Sequence, residues 1–145
     1  AYEKGDYKTA FTIFEDLASK GDVKAQYNLG VMYRDGEGVR QDYKKAIEFF
    51  KKAANQGIAD AQFYLGLMYL DGLGVKQDYK KAFEWFEKAA TQGYVDAQYN
   101  LGIMYDNGEG VRQDKKRAKE YFGKACDGGL QIGCDNYKIL NQQGY

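Results

Sequence analysis

Apolar residues return along this chain at the spacing of an α-helix. Ala25, Leu29, Met32 and Tyr33 fall at positions i, i+4, i+7 and i+8, which places them on one side of a helix. A single short helix is marginal in water, so this apolar side requires a packing partner. We predict a helix over roughly residues 22–34 and name it A-type.

A second apolar pattern follows a glycine-containing segment. Ala46, Phe50 and Ala53 fall at i, i+4 and i+7 and predict a second amphipathic helix, named B-type. Asp42 stands just ahead of this helix, where its carboxylate can accept backbone N–H hydrogen bonds as an N-cap. Gly57 follows the helix and can adopt the positive φ at which many helices end. The pattern therefore predicts helix pairs joined by glycine turns.

The helix pair recurs along the chain. Asp6-Tyr7-Lys8 returns as Asp42-Tyr43-Lys44 and Asp78-Tyr79-Lys80, a spacing of 36 residues. Since neither helix can cover its own apolar side, successive pairs must stack, which is the physical basis of a solenoid. We predict an all-α fold, a right-handed α-α superhelix of antiparallel helix pairs that forms a single domain over residues 1–145. Its predicted parts are a B-type helix at 6–20, repeats at 22–56, 58–92 and 94–128, and a capping helix at 130–141.

Three glycines lie inside predicted A-type helices, at Gly30, Gly66 and Gly102. Glycine inside a helix costs about 0.5 to 1 kcal/mol relative to alanine, so its recurrence requires a reason. We expect close approach of a neighbouring helix backbone at each of these positions.

The two ends of the repeat array differ from its middle. At the fourth A-type helix, Lys138 replaces the repeated Gly102 and Asp135 replaces Tyr99, which makes the outer face more polar. Residues 131–145 are therefore predicted to cap the array. At the other end the chain opens on a B-type helix with no recognisable partner in residues 1–4, and we expect a further helix ahead of Ala1.

One motif recurs in each unit: A-Q-Y-N-L-G-x-M-Y-x-x-G-x-G-V-x-Q-D-Y-x-K-A, closed by K-A-A-x-Q-G. This motif resembles the Sel1-like repeat, a relative of the tetratricopeptide repeat. The resemblance covers essentially residues 5–134. It implies an adaptor that acts through protein contacts, either in the bacterial envelope or secreted, or in the eukaryotic endoplasmic reticulum.

The last unit contains the only cysteines, Cys126 and Cys134, in an A-C-x7-C arrangement. This arrangement resembles the disulfide of the cysteine-rich Sel1-like proteins of Helicobacter, which carry such a pair in every repeat. The other units of this chain lack the pair, and their equivalent positions hold Ala54 and Gln62, and Ala90 and Gln98. The resemblance implies a disulfide across the corner between a B-type helix and the next A-type helix. Two buried thiols in a cytosolic protein are the alternative.

The residue inventory argues against catalysis. The chain has no histidine, which excludes Ser-His and Cys-His pairs. Its only serine, Ser19, is followed by Lys20-Gly21-Asp22 and so lacks the Ser-x-x-Lys motif of penicillin-recognising enzymes. We expect no enzyme activity, no cofactor and no metal site. The alternative, which comes from the resemblance alone, is a β-lactam- or peptidoglycan-interacting protein of the cysteine-rich penicillin-binding, β-lactamase-like group.

Charge and hydropathy exclude other partners. The 21 basic and 21 acidic side chains cancel, so no positive field favours nucleic acid. No apolar run approaches the roughly 18 residues of a membrane span, so we expect no membrane insertion. The segments 35–38 and 106–110 could suggest calcium or phosphate loops, but a helix-to-helix turn requires the same residues.

Resemblance to tetratricopeptide-like proteins implies that the A-type helices line a concave binding surface. An asparagine amide can both donate to and accept from the backbone of an extended peptide, and Tyr64 adds a flat apolar face. The alternative is that these asparagines satisfy helix or turn groups between repeats. The predicted ligand-binding residues are Asn28, Val31, Arg34, Tyr64, Leu67, Leu70, Asn100, Ile103 and Asp106.

The sequence therefore predicts a non-enzymatic adaptor that binds a protein or peptide through its A-type helices. We expect a periplasmic or secreted location, with a cytoplasmic one as the alternative. We also expect a monomer.

Overall fold

A computed structural model describes residues 4–145 of the chain. Residues 1–3 lie outside the described residues. They belong to the segment 1–4, in which the sequence shows no recognisable partner for the first B-type helix. The described chain forms two compact units, Ala1–Gln77 and Asp78–Tyr145. The extent of the predicted domain and of its repeats stays a prediction.

The first unit contains four helices, two of each type. The B-type helices are α1 (Lys4–Ser19) and α3 (Tyr43–Asn55), and the A-type helices are α2 (Val23–Asp35) and α4 (Ala59–Asp71). The second unit repeats this order with α5 (Tyr79–Thr91), α6 (Val95–Asn107), α7 (Lys115–Asp127) and α8 (Gln131–Gln142). Residues 4–145 contain eight helices and no strand, so the all-α class of paired helices is confirmed.

Aspartate side chains start three of the four B-type helices, as the sequence predicts. The Asp42 carboxylate accepts a hydrogen bond of 3.1 Å from the Lys45 backbone N–H, and Asp78 and Asp114 make the equivalent bond. Each bond satisfies one of the N–H groups that a helix start leaves unpaired, which contributes roughly 0.5–2 kcal/mol. The predicted N-cap role of Asp42 is confirmed.

The glycine segment between the two helices of a pair is a turn. Gly36 adopts a φ of 70° and donates its N–H to the Met32 carbonyl, which ends α2, and Gly38 adopts a φ of 73°. Both φ values lie in the left-handed region that side chains rarely adopt. The backbone thus uses these residues to reverse direction, which confirms the interpretation as a helix-to-helix turn.

The glycines inside the A-type helices have a different cause from the predicted one. A Cβ atom at Gly30 would lie 2.7 Å from Cδ1 of Phe50, and one at Gly102 would lie 2.7 Å from Cδ1 of Phe122. Both phenylalanine rings are almost completely buried. At Gly30 and Gly102 the expected neighbour, a helix backbone, was wrong, because an aromatic ring of the following B-type helix occupies the space.

A second repeated contact holds the corner between a B-type helix and the next A-type helix. The Gln62 amide donates to the Ala54 carbonyl at 3.1 Å, and the Gln98 amide makes the equivalent bond to Ala90. In the last unit the same two positions hold cysteines, and Cys126 and Cys134 form a disulfide with a Cα–Cα distance of 4.6 Å. A covalent bond therefore replaces a hydrogen bond at the corner between α7 and α8, and the predicted disulfide is confirmed.

This exchange predicts a measurable stability difference. Replacing both cysteines by alanine is expected to lower the free energy of unfolding by about 2–3 kcal/mol, because the unfolded chain regains the entropy of a short loop. The variant Cys126→Ala with Cys134→Gln restores the residue pair of the other repeats and should regain about 0.5–1.5 kcal/mol. Urea unfolding followed by circular dichroism measures both. Equal stability of wild type and the double alanine variant would contradict a stabilising disulfide.

Candidate partner-binding surface

The nine predicted ligand-binding residues share one degree of exposure. All of them lie on A-type helices, and each is half-buried rather than covered or fully exposed. We name this set the A-helix surface. Its first-unit residues are Asn28, Val31, Arg34, Tyr64, Leu67 and Leu70, and its second-unit residues are Asn100, Ile103 and Asp106.

Asn28 and Val31 line a cavity of about 290 Å³ between α1 and α2. The other lining residues are mostly apolar and include Tyr7 and Phe14, together with the acidic Glu37. Among the described side chains, those of residues 6–145, neither the Asn28 amide nor the Glu37 carboxylate forms a side-chain hydrogen bond or ion pair. The Asn28 amide and the Glu37 carboxylate are thus the two polar groups among the side chains that line this cavity.

Arg34 and Tyr64 lie against each other. The guanidinium carbon is 4.5 Å from the centroid of the Tyr64 ring, a cation–π distance. The guanidinium also donates to both carboxylate oxygens of Asp35, at 2.8 and 3.0 Å, and this hydrogen bonding is the main reason why the pKa of Arg34 is raised. Beneath Tyr64 lies the buried Phe50 ring, stacked at a centroid distance of 5.8 Å. The positive charge of Arg34 is therefore balanced by Asp35, and its guanidinium lies on two stacked aromatic rings.

The position occupied by Arg34, Leu70 and Asp106 has one constant feature. Its backbone carbonyl accepts a hydrogen bond of 2.8 or 2.9 Å from the amide of a turn glutamine seven residues later. These glutamines are Gln41, Gln77 and Gln113. The backbone at this position is thus structural, while the side chain is free to differ between repeats.

The second unit arranges its three residues differently. Asp106 forms a salt bridge of 2.6 Å with Lys115, and both line a cavity of about 210 Å³ bounded by α8. Ile103 packs against the buried cluster that contains Phe122. Within the described residues the Asn100 amide has no hydrogen-bond partner, like that of Asn28. The binding role of these two asparagines stays a prediction.

Glu37, Tyr7 and Phe14 were not among the predicted site residues. Glu37 lies in the turn and Phe14 lies on a B-type helix, so a search restricted to A-type helices missed both. One signal was available, because the repeat position of Glu37 holds Leu73 in the next unit, a change from acidic to apolar. A turn residue that changes character in this way is a candidate for recognition.

Other chemistry has little support from the arrangement of side chains. The Ser19 hydroxyl donates to the Asp16 carbonyl at 2.6 Å in an exposed position, with no titratable base bonded to it. Among the residues described, no three histidine, cysteine, aspartate or glutamate side chains converge as metal ligands would. None of the described helices is both long and apolar enough to cross a membrane. The A-helix surface can bind through hydrogen bonds, apolar contacts and charge.

Comparison with known proteins agrees with this architecture. The Sel1 repeat model matches residues 23–58, 59–94 and 95–130. Among solved structures, a protective antigen present in uropathogenic Escherichia coli strains, which displays an SLR fold, is 40% identical over 90% of this chain with a TM-score of 0.88. A Sel1 repeat protein from Oxalobacter formigenes is 32% identical over 87% of the chain, with a TM-score of 0.83. No curated protein sequence matches significantly.

A third similar solved structure is of a protein named for its cysteines. Cysteine rich protein B of Helicobacter pylori is 27% identical over 93% of this chain, with a TM-score of 0.72. This chain spans 97% of that structure, but only 28% of the Escherichia coli structure and 50% of the Oxalobacter structure. The three Sel1 matches follow one another without a gap over most of the chain. The chain belongs to the Sel1 repeat family.

Proposed function

We propose that this chain is a non-enzymatic adaptor that binds a protein or peptide partner through its A-helix surface. The observation that carries the proposal is the pair of half-buried asparagine amides, Asn28 and Asn100, which have no hydrogen-bond partner within the described chain. A half-buried amide that stays unpaired has lost part of its hydration without compensation, so a ligand that bonds to it gains binding energy. An extended peptide backbone supplies both the donor and the acceptor that each amide can pair with.

The apolar residues of the A-helix surface support the same partner class. Val31, Leu67 and Leu70 are half-buried, so they keep part of their apolar side chains available for contact. Small apolar contacts between polar ones are typical of protein-binding surfaces, whose polar groups set the register of the partner. The surface therefore suits an extended segment or the face of a helix.

The disulfide supports a periplasmic or secreted location. Disulfides persist in oxidising compartments and are rare in the cytosol, where glutathione and thioredoxin keep thiols reduced. The Cys126–Cys134 bond ties together two helices that other repeats join with a glutamine hydrogen bond. An adaptor with this bond is suited to the bacterial envelope or the exterior, and we propose that it acts there as a monomer.

The proposal predicts how asparagine substitutions affect binding. Peptides selected from a displayed random library on the wild-type protein should bind about tenfold more weakly to Asn28→Ala or to Asn100→Ala, because each variant removes a hydrogen bond formed on binding. Fluorescence anisotropy with labelled selected peptides measures the change. Tyr64 is kept intact because its ring packs on Phe50, and its loss would disturb the fold as well as the surface.

A matched control separates the A-helix surface from the rest of the molecule. Asn55 is an exposed asparagine at the end of the B-type helix α3, so Asn55→Ala removes the same group elsewhere. All variants should show wild-type helical circular dichroism. Selected peptides that bind wild type and all three variants equally would place the binding surface elsewhere, and a library that yields no binder would contradict the peptide-binding proposal. The β-lactam or peptidoglycan alternative stays a hypothesis, since no contact described above favours it.

A further inference from the structure

A tyrosine ring fills one place between two A-type helices of the first unit. The Phe50 ring of α3 forms the base of this place, and the Tyr64 ring of α4 stacks on it at a centroid distance of 5.8 Å. The Arg34 guanidinium of α2 lies 4.5 Å from the Tyr64 centroid and is neutralised by its two hydrogen bonds to Asp35. The filled place therefore consists of a phenylalanine base, a tyrosine ring, and a cation with its carboxylate.

The second unit has the same place, and there it is open. A shift by two repeats converts Phe50 into Phe122, Tyr64 into Asn136 and Arg34 into Asp106. Phe122, Asn136 and Asp106 line a cavity of about 210 Å³. They come from α7, α8 and α6, so each of the three helices that build the filled place has its counterpart among the described residues. The opening follows from the residues that this repeat carries.

The residue exchange removes the tyrosine ring and keeps a charge pair. Asn136 is smaller than tyrosine, and its amide donates a hydrogen bond of 3.3 Å to the Tyr99 hydroxyl. The Lys115 ammonium lies 2.6 Å from a carboxylate oxygen of Asp106, and both residues line the cavity. The cation now comes from α7 and the carboxylate from α6. The base, the cation and its carboxylate are thus present in both places, and the ring is present in only one.

We propose that this cavity is an anchor site for a phenylalanine or tyrosine side chain of the partner protein. The ring takes the place that Tyr64 takes in the first unit, next to Phe122, and the Lys115 ammonium lies at its face. The face of an aromatic ring carries the negative part of its quadrupole, which attracts a cation. Ile139 and Leu140 of α8 add apolar walls. The volume is below that of most small-molecule sites, so the cavity suits one side chain.

The charge pair in the cavity also favours an uncharged occupant. A carboxylate of the partner would be repelled by Asp106, and a second cation would be repelled by Lys115. An aromatic ring has no net charge and avoids both repulsions. Since Asp106 belongs to the A-helix surface, the inference rests on the proposed adaptor function, and it adds the chemical class of side chain that the last repeat selects.

A small probe tests the anchor without knowledge of the partner. The isotope-labelled protein is titrated with N-acetyl-phenylalanine N-methylamide and, separately, with the cyclohexylalanine analogue, whose ring is similar in size but not aromatic. The aromatic compound is expected to shift the Asn136 side-chain amide signals in ¹H–¹⁵N spectra. It should bind about threefold more tightly than the cyclohexyl compound or better, because only the aromatic ring attracts the Lys115 ammonium. Equal binding, tighter binding of the cyclohexyl compound, or shifts that leave Asn136 unmoved would overturn the proposal.

A lysine variant locates the preference for the aromatic ring. Lys115→Met keeps a long side chain and removes the cation, so it should abolish the difference between the two compounds. Lys116→Met is the matched control, because Lys116 is an exposed lysine of the same helix that does not line the cavity. This control should keep the wild-type preference. A preference that survives Lys115→Met contradicts the role of the ammonium.

A second variant fills the cavity. Asn136→Tyr supplies the ring that the first unit has at the equivalent position, so it should prevent binding of the aromatic compound while the helical circular dichroism stays as in wild type. The side-chain amide signals of Gln143, which also lines the cavity, report binding in this variant. Binding at wild-type strength to Asn136→Tyr would show that the ring compound does not enter the cavity.

The anchor and the adaptor function fail in different ways. If the aromatic compound binds as expected but the peptide library yields no binder, the ring site stands and the adaptor function falls. If selected peptides depend on Asn28 and Asn100 but contain no aromatic residue whose contribution is lost in Lys115→Met, the adaptor function stands and the anchor falls.

Discussion

Replacing Phe122 by alanine is expected to lower the free energy of unfolding by about 3–5 kcal/mol, the range for a large buried aromatic side chain. Phe122 is 1% exposed and packs in a cluster with Tyr105, Ala118 and Leu140. Its ring also lies against Gly102 of α6, so its loss removes contacts between two helices and leaves a cavity between them. Urea unfolding followed by circular dichroism measures the change. A loss below about 1 kcal/mol would mean that the neighbouring helices close the cavity.

Gly102, whose backbone faces the Phe122 ring, supplies a control. Its replacement by alanine should change the free energy of unfolding in opposite directions with and without that ring. Gly102→Ala in the wild-type background is expected to destabilise the fold by about 1–3 kcal/mol, because its Cβ would meet the Phe122 ring at 2.7 Å. In the Phe122→Ala background the same change should stabilise by about 0.5–1 kcal/mol, since alanine is the better helix former and the ring is gone. This double-mutant cycle measures the coupling of the two residues directly. Additive effects would show that the ring is not the reason for the glycine.

The second large effect is expected at Gly110, in the turn between α6 and α7. Gly110→Ala should destabilise the fold by about 2–5 kcal/mol, which combines the cost of a left-handed residue with that of a steric clash. Gly110 has a φ of 70°, and a Cβ there would lie 2.6 Å from the carbonyl carbon of Tyr79 and 3.0 Å from the Lys80 nitrogen. Both atoms are backbone, so no side-chain rotation can relieve the overlap.

Gly93 separates these two costs. It follows helix α5 with a φ of 85°, and a Cβ there would meet no atom within 4 Å. Gly93→Ala should therefore cost only about 1–2 kcal/mol, from the left-handed backbone alone. Thermal or urea unfolding of both variants gives the difference. If the two glycines cost the same, the approach of the turn to the first residues of α5 is not a tight contact.

The site was only partly predictable. The A-type pattern indicated Asn28 and Val31, and both line the cavity between α1 and α2. Glu37 and Phe14, which complete the cavity, lie outside that helix, and periodicity within one helix cannot show which residues of other segments converge on it. That Arg34 lies over Tyr64 was equally unpredictable, because the two residues are 30 positions apart and only stacking of the helices brings them together.

The sequence by itself determined the helix type, the caps and the turns. These features depend on neighbours within a few residues: apolar spacing for the helices, Asp42 for a helix start, and Gly36 for a helix end. The motif also determined the family, and its departure at Cys126 and Cys134 indicated the disulfide. Helix spacing, caps and turns depend on residues that are close together in the sequence, which is why they could be predicted from it.

Only the tertiary structure shows which contacts require a particular residue at a given position of the repeat. An isolated Gly102 indicates a close approach but not its partner, and the packed helices show that the partner is an aromatic ring rather than a backbone. An isolated Asn28 does not reveal which cavity it lines, and the structure shows that it lines the same cavity as Glu37 and Phe14, which come from other segments. Such facts depend on which surfaces meet across the chain, and that is set by the packing of side chains from different helices.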